Sequence, residues 1–193
     1  MVVPMGADLD RAREGLLAEL REHALVIGEV TLSSGQTAQY YVDAKRALLR
    51  PAGLRAAGEL IAAEAGERGA SAVGGMTMGA DPLACAAIAA EGGDGLVAFF
   101  VRKERKEHGL QRWIEGPVLE AGTKCLVVED VVTTGGSTVR AIERIREEGL
   151  EVAGVTAVVD RLAGGAEAIE EAADAPYRPL VTIDELYPDR PDR

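Results

Sequence analysis

Two hydrophobic patterns alternate along this chain. Short, predominantly apolar runs stand at Ala72-Val73-Gly74 and at 96–101, 125–129 and 151–159, with no alternation through Cys125, Leu126, Val127 and Val128. Such runs are the mark of strands buried on both faces, as in a parallel sheet. Elsewhere apolar residues recur every three or four positions, as on one face of a helix: across 9–25, across 51–68, and through Val139, Ala141, Ile142 and Ile145. Pro51 suits a first helical position, and Asp81-Pro82 opens an Ala-rich helix that runs through Ala90. Ser137 is the expected N-cap of the helix bearing Ile142, and Gly149 its stop. The stretch 180–187 predicts a short strand and a helical turn. Strands alternating with helices imply an α/β fold, a mostly parallel central sheet flanked by helices on both faces. Near the N-terminus Thr31, Tyr40, Tyr41 and Val42 favour strand around a Ser34-Gly35 turn, which predicts a hairpin.

Length and composition narrow this picture. At 193 residues and 47% hydrophobic content the chain supports one domain with a proper core, spanning 1–193. Aromatics are only 4%, so Ala, Val, Leu and Gly must do the packing. No apolar run approaches the ~20 residues that span a bilayer, and the N-terminus lacks a charged region followed by an apolar core. A cytoplasmic protein is expected, with no membrane partner. A net charge of −11 speaks against non-specific nucleic-acid binding. Cys85 and Cys125 lie in apolar surroundings and predict buried free thiols; His23 and His108, the two histidines, make no zinc pattern.

The candidate chemistry is concentrated in Val127 to Thr138. Here a buried strand ends in Glu129 and Asp130, then passes through Val131, Val132, Thr133, Thr134, Gly135, Gly136 and Ser137 into a helix. Ligands collect at the C-terminal ends of strands in open α/β sheets. Glycines allow positive φ and close approach, so backbone N–H groups and hydroxyls from Thr133 to Ser137 can wrap an anion at the positive end of the helix dipole. An anion cradle beside two acids fits a ligand carrying both phosphate and hydroxyls. Ribose 5-phosphate is such a ligand, its hydroxyls donating to the carboxylates. The rival phosphate motifs fail, since the chain has no Gly-Lys dipeptide and no Gly-x-Gly-x-x-Gly. The bland alternative is a glycine-rich strand-to-helix turn with an incidental acid pair.

This stretch resembles the signature of type I phosphoribosyltransferases, which bind 5-phosphoribosyl 1-pyrophosphate (PRPP). A second segment, Arg102-Lys103-Glu104-Arg105-Lys106-Glu107-His108-Gly109, places four cations in five residues of an acidic chain. Alone it reads as a solvated charge run. Between two predicted strands it is similar to the catalytic loop of orotate phosphoribosyltransferases, spanning 102–116, which in that family reaches the neighbouring subunit's site. Gly28 to Gly35 with Tyr40 to Asp43 is similar to the family's hood, here mainly 1–45 plus the C-terminal tail. Arg161, after the strand ending Val158-Val159-Asp160, matches the family's base-holding arginine.

The resemblance implies transfer of phosphoribosyl from PRPP to orotate, by a homodimer using Mg²⁺ held mainly by PRPP and water rather than by protein ligands. Lys106, His108, Lys103 and Asp130 are the implied catalytic residues. Arg102, Lys103, Lys106, His108 and the run from Glu129 to Ser137 are implied to bind PRPP, and Thr133 with Arg161 to bind orotate. Two positions depart from the pattern: Ser33 and Met78 stand where some members carry lysine, which shifts the cationic load onto Arg102, Lys103 and Lys106. The alternatives are a purine or other pyrimidine phosphoribosyltransferase, or a PRPP-sensing regulator without turnover.

Overall fold

The computed structural model describes residues 5–31, 37–105 and 112–193. In chain order it contains α1 (Met5–Glu19), a π turn (Leu20–Ala24), β1 (Leu25–Thr31), β2 (Thr37–Val42), α2 (Lys45–Leu48), α3 (Pro51–Arg68), β3 (Ala72–Met76) and α4 (Asp81–Ala89). Then follow β4 (Val97–Val101), β5 (Ile114–Glu115), β6 (Lys124–Val132), α5 (Gly136–Glu147), β7 (Glu151–Asp160), α6 (Gly165–Ala173), β8 (Tyr177–Thr182) and α7 (Ile183–Leu186). The expected α/β architecture is present. Six strands form one sheet in the order β5-β4-β3-β6-β7-β8, parallel throughout except for the two-residue β5.

Period-two alternation sorts the central strands' side chains onto two cores. Leu126, Val128 and Val158 face the core beneath α1, α3 and α4; Cys125, Val127, Val155 and Ala157 face the core beneath α5 and α6, with Ile142, Ile145 and Ile169. Helix α3 has the predicted bounds because its ends carry strong signals. Pro51 occupies the first turn, and Gly69 closes the helix in the left-handed region at φ 63°. The first helix runs on through the π turn. Its buried residues Ala12, Leu16, Leu20 and Ala24 are spaced by four, which overshoots the 3.6-residue period. The wider π turn returns Ala24 to the buried face.

The N-terminal hairpin is a separate antiparallel sheet, with Leu25 opposite Val42 and Thr31 opposite Thr37. The Ser34-Gly35 turn and Ser33 lie outside the described residues. The C-terminal tail joins this unit: Tyr40 meets Tyr187 edge-on at 5.5 Å, its hydroxyl donates to Asp192 at 3.0 Å, and Arg13 pairs with Glu185.

Three expectations need correction. Cys85 is exposed, because Leu83, Ala84, Ala86 and Ala87 take the inner face of α4, and a helix apolar nearly all round does not announce its outer side. Cys125 is buried, and that burial pushes its thiol up to about 12, so it stays protonated. Ser137 is not an N-cap; the cap position is Gly135, at φ 77°. Nor do the acids end their strand, since the β-branched Val131 and Val132 continue β6 past Asp130.

Leu126→Ala, at a fully buried position of the central strand, is expected to lower unfolding stability by about 2–5 kcal/mol. Val118→Ala, at a site 79% exposed, is expected to change it by less than about 0.5 kcal/mol. Urea unfolding midpoints measure both.

Candidate active site

Strand order reverses between β3 and β6: the chain moves outward from β3 to β4 on one side, and from β6 through β7 to β8 on the other. A crevice opens at the carboxyl ends of strands flanking such a reversal. Here the loop after β3, Thr77 to Gly79, and the loop after β6, Thr133 to Gly135, border it.

On the β6 side, Glu129 and Asp130 are both buried. Glu129 Oε2 accepts from Ser137 Oγ at 2.7 Å and from Thr138 Oγ1 at 3.3 Å. Asp130 Oδ2 accepts from Lys45 Nζ at 2.5 Å, and Oδ1 from the Val131 N–H at 2.9 Å. Lys45 follows the hairpin, so this ion pair ties the N-terminal unit to the central strand. Gly79 lies across both acids: a Cβ there would stand 2.5 Å from Asp130 Oδ1 and 3.0 Å from Glu129 Oε1. A side chain at this position would have to displace both carboxylates.

The electrostatics follow from this crowding. Burial raises the Glu129 carboxyl to about 7; the Ser137 hydroxyl opposes the rise, and the neighbouring Asp130 charge adds to it. For Lys45, partial burial pulls the ammonium down, but the hydrogen bond and charge of Asp130 outweigh it and the net shift is upward.

Beyond the acids, Val131 to Ser137 and Arg140 line a cavity of about 240 Å³. Gly135 makes the turn into α5; a Cβ at this position would meet the Gly165 carbonyl at 2.9 Å. The predicted cradle residues Val131, Val132, Thr133, Thr134, Gly135, Gly136 and Ser137 thus come together around one concavity at a helix N-terminus. A second cavity, about 350 Å³, is lined by Thr77, Phe100, Arg102, Lys103, Glu104 and Glu115. Arg102 there pairs with Glu115 at 3.0 Å.

Arg161 leaves β7 beside the β6 end, its N–H donating to the Val132 carbonyl at 2.9 Å. Its guanidinium lies 5.2 Å from the centre of the Tyr40 ring, and its Nε is buried with no hydrogen-bond partner among the described residues. Lys106 and His108 fall outside the described residues. Sequence reasoning missed Lys45 and Arg140, and it placed Gly79 in the loop corresponding to the family's pyrophosphate loop without its contact to the acids. Lys45 had a faint signal, the first of two adjacent cations just after the Tyr40-Tyr41-Val42 strand; the closeness of Gly79 to the acids had none, because its constraint comes from β6. Among the described residues no group of three or more His, Cys, Asp or Glu side chains converges to hold a metal.

The phosphoribosyl transferase domain family matches residues 48–174. The orotate phosphoribosyltransferase of Streptomyces avermitilis is 48% identical over 180 residues, covering 92% of this chain and 98% of the relative. That of Corynebacterium glutamicum strain R is 49% identical over 175 residues, covering 91% and 94%. Among solved structures, Mycobacterium tuberculosis H37Rv orotate phosphoribosyltransferase in complex with Fe(III) dicitrate superposes with a TM-score of 0.82 at 44% identity, covering 91% of this chain and 99% of that one. The complex of the Mycobacterium tuberculosis protein with PRPP gives 0.77 at 39% identity, covering 91% and 98%.

The raised Glu129 pKa sets a pH dependence. Between the ordinary carboxylate range and about 7, the folded state holds a proton that the unfolded state has released, so stability falls as pH rises through that window. Glu129→Gln removes this dependence. The variant is therefore expected to gain stability relative to the parent on going from pH 5 to pH 8, on the order of 2 kcal/mol. Parallel denaturation curves at the two pH values check the sign.

Proposed function

This chain belongs to the orotate phosphoribosyltransferase family, and from that premise we propose that it transfers phosphoribosyl from PRPP to N1 of orotate, giving orotidine 5-monophosphate and pyrophosphate in pyrimidine biosynthesis. The observation that carries the reading is the placement of a buried acid pair directly beside a hydroxyl- and glycine-lined cavity, with Arg102 and Lys103 on a second cavity across the crevice.

Each part has a chemical role. Backbone N–H groups and hydroxyls of Thr133 to Ser137 hold the 5-phosphate. Glu129 and Asp130 accept from the ribose hydroxyls and oppose the positive charge that grows on the ribosyl ring as the C1–O bond loosens. The bonding electrons leave with pyrophosphate, and N1 of orotate, its N–H proton lost to solvent by the base's own ionisation, forms the new C1–N bond. Arg102, Lys103, Lys106 and His108 neutralise the departing pyrophosphate, and Lys106 or His108 can supply it with a proton. Thr133 and Arg161 hold the base; the unpartnered Arg161 Nε is a buried donor that an anionic base would satisfy. Glu129 and Asp130, with hard carboxylate oxygens beside the ribose position, are the residues that would hold Mg²⁺ through its waters when it arrives with PRPP. When bound, Mg²⁺ offsets the diphosphate charge. The protein works as a cytoplasmic homodimer whose subunits exchange the Lys106 and His108 segment.

Purified protein mixed with orotate, PRPP and Mg²⁺ is expected to deplete orotate's ultraviolet absorbance, and omission of Mg²⁺ to stop the loss. PRPP binding without loss of orotate would redirect the search to purine and other pyrimidine bases, or to a regulator. Lys106→Ala is expected to lower turnover more than tenfold while PRPP affinity changes less; equal affinity loss with unchanged turnover would remove its catalytic role.

A further inference from the structure

Helix α5 does more than present its N-terminus to the crevice. Further along, Arg144 grips both stems of the cationic segment. Its Nη1 donates to the Arg102 carbonyl at 2.6 Å and its Nη2 to the Lys103 carbonyl at 2.9 Å. Nη1 also lies 3.3 Å from Met76 Sδ, at the end of β3 just before Thr77. On the opposite stem, the Trp113 ring stacks against the same guanidinium, 4.3 Å from Cζ to the ring centre.

The next turn of the helix completes the grip. Glu148 accepts from the Trp113 backbone N–H at 2.7 Å, and Glu147 from its indole N–H at 2.6 Å. The stems are also joined to each other, the Arg102 N–H donating to the Trp113 carbonyl at 2.9 Å. One planar guanidinium therefore satisfies two consecutive carbonyls with its fork and an indole with its face, a combination that lysine cannot reproduce. Arg144 itself lines neither cavity.

We infer that Arg144 is a positioning residue. It fixes the backbone from which Arg102 and Lys103 reach the 350 Å³ cavity, and it sets that backbone against the helix whose N-terminus forms the cradle. The inference rests on the reading of the two cavities as the pyrophosphate and 5-phosphate ends of one PRPP site. In that reading α5 is the spacer that holds the two ends at a fixed separation. A substitution at Arg144 should then be selective: the pyrophosphate end loses its cations' placement while the cradle, lined by Val131 to Ser137 and Arg140, keeps its shape.

Calorimetric titration of the parent, Arg144→Lys and Arg144→Ala with two probes, pyrophosphate with Mg²⁺ and ribose 5-phosphate, tests this. Both variants are expected to bind pyrophosphate at least fivefold more weakly and ribose 5-phosphate within twofold of the parent. Thermal midpoints will identify any variant that does not fold, and Arg144→Lys, which keeps the charge, serves if the alanine variant fails. Folded variants that retain parental pyrophosphate affinity, or that lose both ligands equally, overturn the inference. Trp113, the chain's single tryptophan, adds a second readout: its emission should change in the folded variants as the stacked guanidinium is lost, and unchanged emission would deny the grip. A parent that binds both probes but leaves orotate unconsumed would instead defeat the choice of base and leave the role of Arg144 standing.

Discussion

The pairing of β3 with β6 is the constraint on which the rest of the molecule depends. Their ladder runs from Ala72 opposite Cys125 to Gly74 opposite Val127 and then ends. β3 stays paired with β4 as far as Met76 opposite Val101, and the loop that follows carries Gly79 across the carboxylates of β6. The crevice and the close approach at Gly79 both follow from this arrangement. Because the strands are buried on both faces, slipping the register by one residue would send Glu129 and Asp130 to the wrong sides of the sheet.

Burying two adjacent carboxylates is costly unless each is partnered. The protein meets this requirement from different parts of the chain. Ser137 and Thr138 come from the helix that follows, so the partners of Glu129 are local. The partner of Asp130 is Lys45, remote in sequence and carried by the segment leaving the hairpin. The acid pair thereby holds the N-terminal unit to the sheet, and ligand hydroxyls arriving at Asp130 must share it with an ammonium.

Much of this was legible in the sequence where a local signal coincided with a tertiary requirement. The apolar runs marked the central strands, and Pro51 marked the start of α3, because burial and backbone geometry there demand the residue types seen. The cradle was legible because glycines and hydroxyls are needed in one contiguous stretch. Helix α6 was not: Gly164 caps it and Gly165 opens it, and its nine residues are too few for a periodic stripe to stand out. Strand β5, with two residues, carries no pattern at all. Lys45 and Arg144 read as ordinary surface cations, since what they do depends on atoms brought near by the fold. Gly79 looks like any turn glycine until β6 is placed beneath it.

The edges of the six-stranded sheet govern how copies of this protein can meet. On one side the last strand is the two-residue β5, too short to template a neighbour; on the other, β8 carries Pro179, which offers no N–H, and Arg178, whose guanidinium pairs with Glu64 and Glu67 of α3. Neither edge suits the addition of a strand from another molecule. At this sheet, association must therefore proceed through side-chain surfaces, where shape and charge can select a specific partner, rather than through backbone hydrogen bonding, which accepts almost any extended chain.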